Sequence, residues 1–227
     1  MLAHADLSAV ADLMTAHRAT ILLALLGGRA LTAGELAARA GISPSLASAH
    51  LSKLLDGGLI TVSQHGRERH FRLADSRVAE VIEAMLTIAP GRSATTMRES
   101  TRGKALRGAR TCYDHLAGAL GVGLTDSLER QHMIEPGDGA WALTSAGERR
   151  LGSLGIDAAA LRHQRRTFAR PCLDWTERRP HLAGALGAAV ARHALDRTWL
   201  RPVPGTRALR VTDQGRRGFL DEFGLNL

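Results

Sequence analysis

The sequence predicts a mainly α chain with short β-hairpins, of the α+β class. Three observations lead there. Capped amphipathic segments fill residues 5–56, a glycine-punctuated strand pair follows at 59–73, and the heptapeptide HLAGALG occurs twice, at His115–Gly121 and His181–Gly187. The chain has 227 residues, 44% hydrophobic and 23% charged, enough for two domains with cores of their own.

Leu7, Val10, Leu13 and Met14, then Ile21, Leu22, Leu25 and Leu26, recur at helical spacing up to Gly27–Gly28. Thr32 with Glu35 three residues later has capping-box spacing, and Leu36, Ala37 and Ala40 continue one apolar face. Gly41 suits a left-handed C-cap. Ser43 caps the next helix and Pro44 takes its first position, where a missing N–H costs nothing. Leu46, Leu51, Leu54 and Leu55 are expected to face inward, leaving Ser45, Ser48, Ala49, Ser52 and Lys53 outside. Two short helices joined by a sharp turn, the second with a small hydroxylated face, suit a major groove, although an ordinary helical hairpin has the same pattern.

Leu59–Ser63 and His70–Leu73 read as strands around a tip at Gln64–Arg69, with Gly66 in the turn. Arg67 and Arg69 at that tip are placed for phosphates or a minor groove. Asp75 or Ser76 caps a further helix striped by Val78, Val81, Ile82, Met85 and Leu86. The net charge of +8 and pI of about 11.0 fit a polyanionic partner, or arginine-rich usage without functional meaning.

GELAARAGISPSLASAHLSKLLDGGLI followed by GRERHFRL, in the order helix, helix, helix-turn-helix, wing, helix, resembles the ArsR-type winged helix-turn-helix repressors over roughly residues 5–88. The resemblance implies a homodimer on double-stranded, palindromic operator DNA, released by metal ions or oxidants. It places Ser43, Ser45, Ser48, His50 and Lys53 on the DNA-reading helix; His50 equally suits packing against the first helix. The family's two usual metal sites lack their ligands here: GELAARAG has no cysteine and DSRVAEVIEAML no histidine. Sensing is therefore expected elsewhere.

The division expected is a DNA-binding domain at 1–90, a polar linker at 91–103 and a duplicated regulatory domain at 104–227, with copies at about 109–157 and 169–227. ARTCYD at Ala109–Asp114 matches ARPCLD at Ala169–Asp174, and the second copy carries about six extra residues around Trp175–Pro180. Each copy is expected to form a helix–hairpin–helix lobe. A capping box is expected at Ser145–Glu148 and a basic helix at Asp157–Phe168.

Both cysteines of the chain, Cys112 and Cys172, stand at matching places, each two residues before an aspartate, Asp114 or Asp174. With His115 and His181 they offer donors for zinc or another transition or thiophilic ion, with Cys112 and His115 on one helix face. The same cysteines also suit a reversible disulfide or plain core packing, and the aspartates suit helix caps. A small organic ligand between the lobes, or a winged helix that docks proteins, are the other readings. No phosphate loop, dinucleotide fingerprint or zinc-protease helix is present, so no enzyme is expected. Neither a membrane span nor a signal peptide is expected, and two cysteines make no disulfide framework; a cytoplasmic protein is the simplest reading.

Overall fold

The computed structural model describes residues 15–66, 68–89 and 97–227. The expected positions Leu7, Val10, Leu13, Met14 and Arg67 lie outside them. The chain divides into two compact units between Ile82 and Glu83, rather than after residue 90.

In the first unit, helix α1 (Ala16–Leu25) leads into the short strand β1 (Leu31–Thr32), helices α2 (Ala33–Ala40) and α3 (Pro44–Asp56), strands β2 (Ile60–His65) and β3 (Glu68–Leu73), and helix α4 (Ser76–Ile88), which runs past the boundary. The strand order is β1-β3-β2, all antiparallel. Thr32 and Glu35 form the reciprocal capping box. Gly41 follows in the left-handed region at φ 66°, and the Ser43 hydroxyl accepts from Leu46 N at 3.3 Å. Asp75 caps α4, accepting from the backbone N–H groups of Arg77 and Val78. The core gathers Ile21, Leu22, Leu25, Leu36, Leu51, Leu54 and Phe71.

One inward position is corrected. Leu46 is 42% exposed, and Ala47 takes the buried place. Starting from Pro44, the buried set Ala47, Leu51 and Leu54 follows the i, i+4, i+7 rule, which turns Leu46 outward.

The second unit is mixed α and β. After helix α5 (Met97–Gly108) come strands β4 (Arg110–Cys112) and β5 (His115–Ala117), helix α6 (Gly118–Arg130), strands β6 (Ile134–Pro136) and β7 (Trp141–Leu143), and helix α7 (Ser145–Ser153). A short helix, α8 (Ala158–Arg162), is followed by strands β8 (Arg170–Leu173) and β9 (Pro180–Ala183), helix α9 (Gly184–Asp196), strands β10 (Leu200–Pro202) and β11 (Leu209–Val211), and helix α10 (Asp213–Phe223). The four strand pairs are separate two-stranded antiparallel hairpins. Their shared core includes Leu116, Leu120, Leu128, Leu182, Leu186, Trp199 and Phe219.

Three expectations shift here. Residues 97–103, expected as linker, lie in α5. The cap of α7 is Thr144 rather than Ser145: its hydroxyl accepts from Gly147 N at 3.0 Å and donates to His132 O at 2.6 Å, so one side chain ties the helix start to the preceding turn. The basic helix expected at Asp157–Phe168 is only five residues long, capped by Asp157. Beyond it the chain turns to set Phe168 beneath the Arg162 guanidinium, 4.8 Å from the ring centroid, and Arg166 on Asp114.

Candidate functional site

The helix expected to read DNA is α3. Ser45, Ser48 and Lys53 lie exposed on it, as does Ser43 at its cap, and Arg69 is exposed on the wing strand β3. Ser43 spends its oxygen on capping, and Ser48 donates to Pro44 O at 2.9 Å. His50 sits half-buried against α1, with Nδ1 3.3 Å from an Arg18 nitrogen and its ring 5.5 Å from that of His17. Desolvation, then Arg18 and His17, push its pKa below the ordinary histidine value. The structure thus sets His50 against the first helix.

The second site is built by two hairpins of the second unit. Cys112 and His115 do not share a helix face; they are cross-strand partners on β4 and β5. Cys172 and His181 are cross-strand partners on β8 and β9. Of the six extra residues of the second segment, two extend the ladder by the pair Leu173 and Pro180, and the rest lengthen the turn between β8 and β9. The hairpins bring the four side chains together, all buried, with one donor atom from each within 4.8 Å of all the others. The two sulfurs are 3.8 Å apart and the two histidine Nε2 atoms 3.2 Å apart.

Asp114 and Asp174 stand behind the histidines, outside the four-donor cluster. His115 Nδ1 is 3.4 Å from Asp114 Oδ1, and His181 Nδ1 is 3.2 Å from Asp174 Oδ2, the latter too oblique for a full hydrogen bond. Asp174 is fully buried, and its carboxylate accepts from Gly118 N (2.7 Å), Thr176 N (2.9 Å) and Thr176 Oγ1 (2.7 Å). It also lies 2.9 Å from Arg110, itself fully buried, whose guanidinium stacks 4.7 Å from the Trp175 ring centroid. The side chain of Asp114 is 31% exposed and pairs with Arg166.

Charge follows this geometry. Burial works against an ionised Asp174, but His181, Arg110 and Thr176 hold its pKa well below the carboxylate range. Burial likewise opposes ionisation of Asp114, and His115 and Arg166 bring its pKa down to about 2. The two thiols shift each other: contact with Cys172 and burial push Cys112 up, while contact with Cys112 and the two histidines beside it draw Cys172 down against the cost of burial. Desolvation disfavours charge on His181, yet Asp174 and Cys172 outweigh it and raise its pKa.

Two glycines let the hairpins close, and residue-type reasoning about Cys, His and Asp missed them. A Cβ on Gly121 would sit 2.4 Å from the Leu116 carbonyl oxygen and 3.6 Å from the His181 Cβ. One on Gly187 would sit 2.5 Å from the Leu182 carbonyl oxygen and 3.3 Å from the His115 Cβ. The signal was the final glycine of HLAGALG: each copy clears space for the other copy's histidine.

The apolar pocket lined by Leu128, Met133, Ile134, Leu182, Leu186 and Val190 among others has no room for a water-sized molecule, and so none for a small organic ligand there. No helix among the described residues is long and apolar enough to cross a membrane.

A capped helix-turn-helix running straight into a β-wing defines a winged helix-turn-helix DNA-binding transcriptional regulator. A family model described as a helix-turn-helix domain matches residues 13–63. The chain is 48% identical over 202 residues to the helix-turn-helix-type transcriptional regulator YdfF of Bacillus subtilis (strain 168), covering 89% of each protein. It is 38% identical over 71 residues to the regulator CmtR of Mycobacterium tuberculosis, 31% of this chain and 59% of that protein. The solution structure of the cadmium metal-sensor CmtR from Mycobacterium tuberculosis aligns at 31% identity and a TM-score of 0.32, over 39% of this chain and 93% of that one. The chain belongs to the helix-turn-helix-type transcriptional regulators that include YdfF.

Proposed function

We propose that this regulator is a metal-responsive repressor. In this reading Cys112, His115, Cys172 and His181 hold a borderline or soft transition-metal ion, with zinc as the reference case, and occupancy of that centre sets the affinity of a homodimer for operator DNA. The observation that carries it is the convergence of four buried donors within 4.8 Å of one another, the two sulfurs and the two nitrogens each near tetrahedral spacing. Zinc–sulfur bonds of about 2.3 Å and zinc–nitrogen bonds of about 2.0–2.1 Å at tetrahedral angles require sulfurs about 3.8 Å apart and nitrogens about 3.3–3.4 Å apart. The protein has 3.8 Å and 3.2 Å.

The histidine arrangement supports the same reading. With each Nδ1 turned to a carboxylate, the two Nε2 lone pairs face each other, and only a proton or a metal ion between them removes the repulsion. Asp174, fixed by Arg110, Thr176 and Gly118, orients His181; Asp114, fixed by Arg166, orients His115. A bound ion would supply charge neutralisation and a four-way crosslink. The residues themselves give up the Cys112 proton and turn both Nε2 atoms inward.

We also infer that residues about 109–157 and 169–227 are two copies of one unit, related by a local twofold axis. The doubled heptapeptide, the matching hairpin–helix–hairpin–helix series and the reciprocal contacts of Gly121 and Gly187 support this. A crosslink of the four donors then joins the two copies.

Cobalt(II) titration of the reduced full-length protein tests the centre. One equivalent per chain is expected, with thiolate charge-transfer and tetrahedral d–d bands, displaced by zinc, and operator affinity in a gel shift is expected to change between loaded and metal-free protein. Octahedral-type spectra or sub-stoichiometric binding would refute the reading.

In the first unit, Ser45, Ser48, Lys53 and Arg69 are the proposed groove and phosphate contacts, with Arg67 near Arg69 in sequence. Lys53→Ala and Arg69→Ala are each expected to weaken binding on all duplexes and to lower the salt slope of log K by about 1. Fluorescence anisotropy across a salt series reads this; an unchanged slope would remove the residue from the interface.

A further inference from the structure

We propose that the same centre is also a peroxide-operated thiol switch, in which Cys112 and Cys172 close into an intramolecular disulfide and withdraw two of the four donors. The loss of a bound ion in this scheme rests on the metal reading above; the disulfide does not.

The geometry is already near closure. The sulfurs are 3.8 Å apart and both cysteines are free. A disulfide spans about 2.0 Å, so about 1.8 Å of approach remains between the two sulfurs. The cysteines form a small buried apolar cluster with Ala117 and Ala183. The chain has no third cysteine to compete for either thiol. Cys112 is 2% and Cys172 8% exposed, too little for a glutathione-sized disulfide to reach either sulfur, so the oxidant in this scheme is the much smaller hydrogen peroxide.

The chemistry balances with hydrogen peroxide as the oxidant. The Cys172 sulfur attacks one peroxide oxygen; the S–O bond forms, the O–O bond breaks, and the departing hydroxide leaves as water with the proton given up by the Cys172 thiol. The Cys112 sulfur then attacks the sulfenic sulfur; the S–S bond forms, the S–O bond breaks, and the second hydroxide leaves as water with the Cys112 proton. Two thiols lose two electrons in total, and one peroxide becomes two waters. The nearby second thiol captures the sulfenic acid before further oxidation, because the reaction is intramolecular.

The test uses full-length protein in two forms, metal-free and zinc-loaded, treated with hydrogen peroxide. The metal-free form is expected to lose about 2 Da per chain, to lose both titratable thiols on denaturation, and to yield a Cys112–Cys172 linked peptide on digestion, all reversed by dithiothreitol. The zinc-loaded form is expected to release one zinc per disulfide to a chromophoric chelator. Cys112→Ser and Cys172→Ser are expected to lose the 2 Da shift. Sulfinic acid on one cysteine, chain-to-chain crosslinks, or two unreacted thiols in the metal-free protein would overturn the proposal. A disulfide forming in a protein that never retains zinc supports the switch and removes the metal reading alone.

Discussion

Cys172→Ser lowers the affinity for zinc by about a hundredfold or more. A four-ligand zinc centre yields about 10–16 kcal/mol at neutral pH, so each ligand carries about 3 kcal/mol, and a serine hydroxyl does not replace a thiolate as a zinc ligand. Asp174→Asn is expected to cost about 10–100-fold, the range for groups that orient a ligating histidine. The order of the two effects is the informative part. Competition against a chromophoric chelator measures both, and an unchanged affinity in Cys172→Ser would end the assignment. Zinc at a hundred times its dissociation constant is expected to stabilise the native chain by about 2.7 kcal/mol, a gain that Cys172→Ser loses under the same conditions.

Arg110→Met destabilises the metal-free second unit by about 3–5 kcal/mol, the usual cost of leaving one partner of a buried ion pair alone. Arg110 and Asp174 are both fully buried, and methionine fills the space without the charge. Urea denaturation at neutral pH reads the loss; a midpoint unchanged from the parent would reject it. The variant also changes the acid response. Asp174 has its pKa depressed in the folded state, so its contribution is present above the unfolded carboxylate value of about 3.9 and fades as the pH falls below it. Asp114, at about 2, acts in the same direction and loses its contribution between about pH 4 and pH 2. Without Arg110 the depression of Asp174 shrinks, and the acid midpoint of unfolding moves to higher pH.

What the sequence discloses depends on how local its signals are. The Thr32–Glu35 box, the Gly41 stop and the Ser43–Pro44 start each sit within four residues, so the helix-turn-helix is legible without any tertiary knowledge. The wing is legible because Gly66 divides two six-residue strands, long enough to show their alternation. The cysteine hairpins defeat the same reading. Strands β4 and β5 have three residues each, too few to show a period of two, and HLAGALG looks helical from end to end. The break falls at Gly118, where φ is +76° and a Cβ would meet the Arg107 carbonyl oxygen at 2.5 Å, a tertiary constraint that no local window contains. The residue types of the centre were legible from the repeat; their cross-strand pairing, and the carboxylates' place behind the histidines, were not.

Either half of the centre alone is a two-ligand fragment. One cysteine and one histidine come from β4–β5, the other two from β8–β9, so the complete donor set exists only where both hairpins meet. A chain carrying one such hairpin would assemble the same four donors only between two copies of itself, and a response built on them would depend on its own concentration. With both hairpins on one chain, the proposed metal response would be independent of expression level. The two hairpins differ in their turns, a short one at Asp114 and a longer, Arg110-anchored one at Asp174.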